Sequence, residues 1–194
     1  MLVATSDHPY AIGQWRHGIQ SHAVPYTGIK PTVQLMRELA DSYAHSPEVR
    51  GTAEAVCRSV YAKDYLSELA AIYYWNCDPR NVRYIRDPAR VELVKDPRVV
   101  IGTKQADCDE MQTLQRSMIH SRRAANVAGM ASAVGNIEVD AALAGFSGPG
   151  LTHTFARARD PRGTGRYVVM DPVAGPLTPV MLKQIKAFQS GGIL

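Results

Sequence analysis

An α+β fold is predicted by three features of the 194-residue chain. Apolar residues recur at three- and four-residue steps through most of the first two thirds. An alternating pattern replaces that period after Gly135, and the later extended segments are joined by the turn-forming stretch Asp160-Pro161-Arg162-Gly163-Thr164-Gly165. Helices followed by antiparallel strands imply N-terminal helices packed on a C-terminal antiparallel sheet. The length suits one domain with a core of its own. We divide the chain into an irregular N-terminal arm over 1–30 and a single domain over 31–194.

The arm is rich in Gly, Pro, His and Tyr and has no sustained period. Its histidines, His8, His17 and His22, match no metal-ligand spacing and read as polar loop residues. From Thr32 a helix is expected, since Leu35, Met36, Leu39, Ala40 and Tyr43 form one face before the break at His45-Ser46-Pro47. Ser46 then caps a second helix, with Pro47 at its first position and Glu48 at the positive end of its dipole. Val49, Ala53, Val56, Cys57 and Val60 form its apolar face, which makes Cys57 a core thiol. A third helix starts at Asp64, carries Leu66, Leu69, Ile72 and Tyr73, and ends at Asn76-Cys77-Asp78-Pro79. Its aromatic run Ile72-Tyr73-Tyr74-Trp75 reads as core rather than as a cleft wall.

Residues 79–107 contain the pairs Asp87-Pro88 and Asp96-Pro97 and read as connections with short extended or single-turn pieces. A long helix opens at Asp107-Cys108-Asp109-Glu110. Met111, Leu114, Gln115 and Met118 continue the face that Cys108 starts, out to about residue 133, with a break near Ser121 and a stop at Gly135. Ile137, Val139, Ala141 and Leu143 alternate with Glu138 and Asp140 as a half-buried strand. Further strands are expected at 151–159 and 166–171, and a short helix at 179–189.

Composition narrows the function classes. The net charge of +4 is spread along the chain, and no basic stretch interleaves with aromatics, so nucleic acid is not an expected partner. No run of about 18 apolar residues suggests a membrane span, and the first residues lack a signal-peptide pattern. A reducing cytoplasm is therefore the expected compartment. Cys57, Cys77 and Cys108 form neither a disulfide framework nor a CxxC metal pattern and read as free thiols.

One constellation can carry chemistry. With Asp107 as cap, the Cys108 thiol lies in the first helical turn, where free amides and the dipole favour a thiolate. Asp107, Asp109 and Glu110 crowd the same turn and oppose that effect. A hairpin centred near residue 162 pairs positions summing to about 324, which sets His153 opposite Asp171 on neighbouring strands, within reach of a hydrogen bond. A carboxylate on one ring nitrogen fixes the tautomer and leaves the other for a thiol.

The blocks Gly102-Thr103-Lys104-Gln105-Ala106-Asp107-Cys108-Asp109-Glu110, Thr152-His153-Thr154-Phe155 and Gly165-Arg166-Tyr167-Val168-Val169-Met170-Asp171-Pro172 resemble, in that order, the transglutaminase-like superfamily in its microbial form. Ser46-Pro47-Glu48-Val49-Arg50 and the segment 84–94 are similar to members encoded by tailed phages. The resemblance implies a papain-like fold with Cys108 as nucleophile, His153 as base and Asp171 as its orienter. It implies thioester chemistry on a carboxamide or peptide carbonyl of a protein or peptide substrate, without cofactor or metal. The Cys108 N–H would help hold the oxyanion, with Gln105, Trp15 or Trp75 as candidate second donors. A phage context implies a second reading, a non-catalytic virion or assembly protein that keeps the fold, contacts phage structural proteins and resides in the virion.

Overall fold

Asp107 opens α5 (Cys108–Val127), and the computed structural model lays its other elements around that helix. The structure describes residues 12–16, 19–24, 29–61, 64–88, 92–127, 139–144, 153–161 and 163–174. The start of α5 is a reciprocal cap. Asp107 Oδ1 accepts from the Asp109 N–H at 3.0 Å and the Glu110 N–H at 3.5 Å, while Glu110 Oε2 accepts from the Asp107 N–H at 2.7 Å. Glu110, fully buried, also takes the Lys95 ammonium at 2.7 Å.

The first helix begins three residues before the expected Thr32, and the next two begin where their caps predict. α1 (Ile29–Tyr43) buries Leu35, Met36, Leu39 and Ala40. α2 (Pro47–Val56) has Ser46 as N-cap, Pro47 in its first turn, and Val49 and Ala53 in the core. It ends at Val56, with Cys57 as a buried C-cap, so Val60 lies beyond it. Asp64 caps α3 (Tyr65–Cys77) by accepting from the Ser67 N–H. Its aromatic run divides between core and solvent: Tyr73 is buried, Trp75 packs on the core and Tyr74 is exposed. Asp96 caps α4 (Pro97–Thr103), which has two turns where single-turn pieces were expected. It stops at Lys104 in the left-handed conformation, φ 56°.

Strands also precede and separate the helices. β1 (Ile12–Arg16) and β2 (Ile19–Val24) form an antiparallel hairpin, extended by β4 (Glu92–Lys95) on β2. The expected irregular arm over 1–30 is thus corrected at its centre. The ordering partner of β2 lies some seventy residues downstream in β4, and a local period cannot reveal it. β3 (Arg83–Tyr84) pairs in parallel with β5 (Gln105–Ala106), immediately before the α5 cap. The C-terminal sheet is antiparallel as predicted, in the order β6-β7-β8, with β6 (Val139–Ala144), β7 (His153–Arg159) and β8 (Tyr167–Met170). The architecture is α+β.

The core lies between α5 and its neighbours. Leu114, Met118 and Ile119 pack in one cluster with Val49, Ala53, Leu69 and Ile72 from α2 and α3, and with Ala156, Ala158 and Met170 from the sheet. A smaller cluster joins α1 to Val94. α5 passes through Ser121 without the expected break, tied to α3 by an Arg122–Glu68 ion pair at 3.0 Å. The stop at Gly135 and the helix at 179–189 lie outside the described residues. Among the described residues no helix is long and apolar enough to cross a membrane.

Candidate active site

The hairpin joining β7 and β8 sets the site's geometry. Gly163 and Gly165 both have φ 72°, a left-handed conformation that favours glycine. The Asp160 N–H donates to the Arg166 carbonyl at 2.8 Å, so residue 163 is the centre of the loop. Paired positions therefore sum to 326, as in Ala156 with Met170, rather than the expected 324. The shift is two residues and preserves the face. Asp171 follows the last paired residue of β8 and lies diagonally across from His153.

His153 Nε2 is 2.9 Å from Asp171 Oδ2. An ionised carboxylate only accepts, so Nε2 carries the hydrogen and Nδ1 is the basic nitrogen. His153 is buried and its ring stacks on Phe155, centroids 5.9 Å apart. Asp171 Oδ1 in turn accepts from the Val173 N–H at 3.1 Å, and the Asp171 carbonyl accepts from the Tyr73 hydroxyl at 3.4 Å. The carboxylate is thereby held from the turn, and the Asp171 backbone from α3.

Cys108 is the first residue of α5 and is partly exposed. Its thiol donates to Asp109 Oδ1 at 3.5 Å, and its sulfur accepts from the Thr154 backbone N–H. β8 ends opposite Ala156, two residues short of Thr154, so the Thr154 N–H has no β8 partner. The sulfur therefore meets β7 at the residue that follows His153. The first-turn amides of Asp109, Glu110 and Met111 all donate to Asp107. The Cys108 N–H has no acceptor among the described residues.

Acidic groups surround the sulfur. Asp109 Oδ1 also accepts from the Thr154 hydroxyl at 2.9 Å, and Asp109 shares a hydrogen bond with Glu92. That bond, with burial, pushes the Glu92 carboxyl up to about 9. Burial, reinforced by Glu110 and Asp109, pushes Asp107 up to about 8. Burial, followed by the Asp109 carboxylate, raises the Cys108 thiol above its ordinary range, and the hydrogen bond from Thr154 opposes that only in part. In the contest between helix dipole and local acids, the acids and the desolvation win. The resting sulfur is a thiol. Cys57, pushed up to about 11 by burial, is a core thiol as its neighbours predict. Cys77 is partly buried and hydrogen-bonded to Tyr73.

Among the described residues, one group brings possible metal-ligand atoms together: Asp107, Cys108 and Asp109, all within 4.8 Å. Its carboxylate oxygens already serve the helix cap and Thr154. Of the candidate oxyanion donors, Gln105 lies in β5, partly buried, and Trp75 packs on the core; the Trp15 side chain lies outside what the structure describes.

The sequence pattern missed two contributors: Glu92 and Thr154. Glu92 lies in β4 and Asp109 in α5, and no local spacing connects them. Thr154 carried a signal, because alternation in β7 sends its side chain toward α5 once His153 is set on the other face. No protein-family model, curated protein or solved structure matches the chain.

Proposed function

We propose that the chain has a transglutaminase-like, papain-like fold and is a cysteine-dependent enzyme for acyl transfer or amide hydrolysis on a protein or peptide substrate. One observation carries this reading: the Thr154 N–H contacts the Cys108 sulfur while the preceding residue, His153, is hydrogen-bonded to Asp171. A nucleophile, a base and its orienter are then contributed by a helix start, a strand and the end of the neighbouring strand.

In the proposed reaction Cys108 Sγ attacks the carbonyl carbon of a carboxamide or peptide. The S–C bond forms as the thiol proton passes to His153 Nδ1, and Asp171 holds the imidazolium through Nε2–H. The unaccepted Cys108 N–H supplies one donor to the oxyanion. Collapse breaks the C–N bond, the amine departs with the proton from His153, and a thioester remains for water or a second amine. Because the acids around Cys108 suppress thiolate in the resting state, proton transfer accompanies attack.

The same suppression favours a second reading, in which the protein is a virion or assembly component that retains the fold without turnover. Mass spectrometry of the full chain incubated with a glutamine-containing peptide library separates the two. A thioester-linked adduct on Cys108, lost in His153→Ala, supports the enzyme; no adduct on any cysteine, with the protein recovered in a particle, supports the assembly role.

A further inference from the structure

We infer that the outer edge of β3, open among the described residues, is a docking strand for an extended, acidic peptide segment near the start of α5. The assignment of that segment as substrate rests on the enzymatic reading above; the docking itself does not.

Residues 83–86, Arg-Tyr-Ile-Arg, are all exposed. Tyr84 is 46% exposed and Ile85 37%, an unusual apolar display on a short strand. In the parallel ladder with β5, the Arg83 N–H donates to Lys104 and the Ile85 N–H to Ala106, at 2.9 and 2.8 Å. By alternation the Tyr84 N–H and C=O point away from β5, and no described residue takes them. An edge with open backbone groups and apolar side chains is a template for strand addition.

Charge selects the occupant. Arg83, Arg86 and Lys104 are exposed on and beside this edge, and none has an ion-pair partner among the described residues. The nearby acids are turned inward: Asp107 and Asp109 are buried, and Asp87 is partly buried with its carboxylate on the Leu93 N–H. The solvent-facing charge along the edge is thus positive, complementary to Glu or Asp side chains. Tyr84 pairs with Ala106, two residues before Cys108, so a peptide added to β3 runs alongside the strand pair that leads into α5.

Fluorescence anisotropy with a labelled peptide of alternating Glu and Leu, against the same peptide with Lys for Glu, tests this on the full chain and on Cys108→Ser. The Glu peptide is expected to bind at least about ten-fold tighter, more weakly as salt rises, in both proteins. Arg83→Glu with Arg86→Glu should abolish or reverse the preference, and backbone N-methylation of the central Leu should weaken binding about ten-fold. Because these arginines are exposed, circular dichroism should show unchanged folding. Equal binding of both peptides, insensitivity to the charge reversals, or equally tight competition by an oligothymidylate would overturn the proposal. Binding with no acyl adduct in the wild type would sink the enzymatic reading alone; an adduct without charge preference would sink the docking alone.

Discussion

His153 Nε2 meets Asp171 Oδ2 at 2.9 Å although the two residues are diagonal, not opposite, across β7 and β8. A two-residue offset leaves both side chains on one face, and the reach of an imidazole covers the diagonal.

Asp171→Asn keeps the shape of this contact but removes the charge that stabilises an imidazolium. Acylation of Cys108 should fall by about a hundred-fold or more, read as the rate of adduct formation in stopped mass-spectrometric time courses. An unchanged rate would remove Asp171 from the mechanism.

Cys108→Ser should unfold within about 1 kcal/mol of the wild type, since the site is partly exposed and the hydroxyl can keep the Asp109 and Thr154 contacts. It should form no thioester. A loss of several kcal/mol in urea titration would show the sulfur to be core packing.

The carboxylate of Asp109 is a leading cause of the raised thiol, second to burial. Asp109→Asn retains an oxygen for the Thr154 hydroxyl and deletes the charge. Iodoacetamide should then label Cys108 about ten-fold faster at pH 7.5, one unit of thiol pKa, with Cys57 and Cys77 as internal references. Slower labelling would contradict the electrostatic account.

Glu92 and Asp107, at about 9 and about 8, hold protons in the folded state that the unfolded chain releases at the ordinary values of 4.5 and 3.8. Both therefore favour folding below about pH 4, and the contribution disappears as pH rises through 8 to 9. Urea midpoints should fall from pH 5 to pH 9. Glu92→Gln, which cannot ionise, should show a shallower fall, and a midpoint that rises over this range would refute the assignment.

Glu110→Ala strands the partly buried Lys95 ammonium and leaves the Asp107 N–H without its acceptor. A cost of about 3 kcal/mol is expected from breaking a buried pair, measurable as a lower urea midpoint with unchanged slope. A change below about 0.5 kcal/mol would mean the pair is dispensable.

The parts of the fold readable from sequence are those set by near neighbours. Ser46-Pro47, Asp64 and Asp107 announce helix starts because a cap acts on amides two or three residues away. The β7–β8 hairpin was legible through its glycines, but its register was not, since either Arg162 or Gly163 could centre the loop and only the Asp160–Arg166 closure decides. β2 pairs with the distant β4 as well as with β1, and the Glu92–Asp109 bond joins two elements distant in sequence. The His153–Asp171 contact and the acids Asp107 and Asp109 beside the sulfur were thus readable, while Glu92, the partner of Asp109, was not.

α5 is flanked by helices on one side and by β7 on the other, and its first residue bears the sulfur. The sulfur-bearing end and the keel of the molecule are one continuous rod. Fraying at that tip would have to drag Met111 and Leu114 out of the interior, so whatever approaches must fit an anchored atom, and any adjustment falls to the incoming molecule or to the strands beside it.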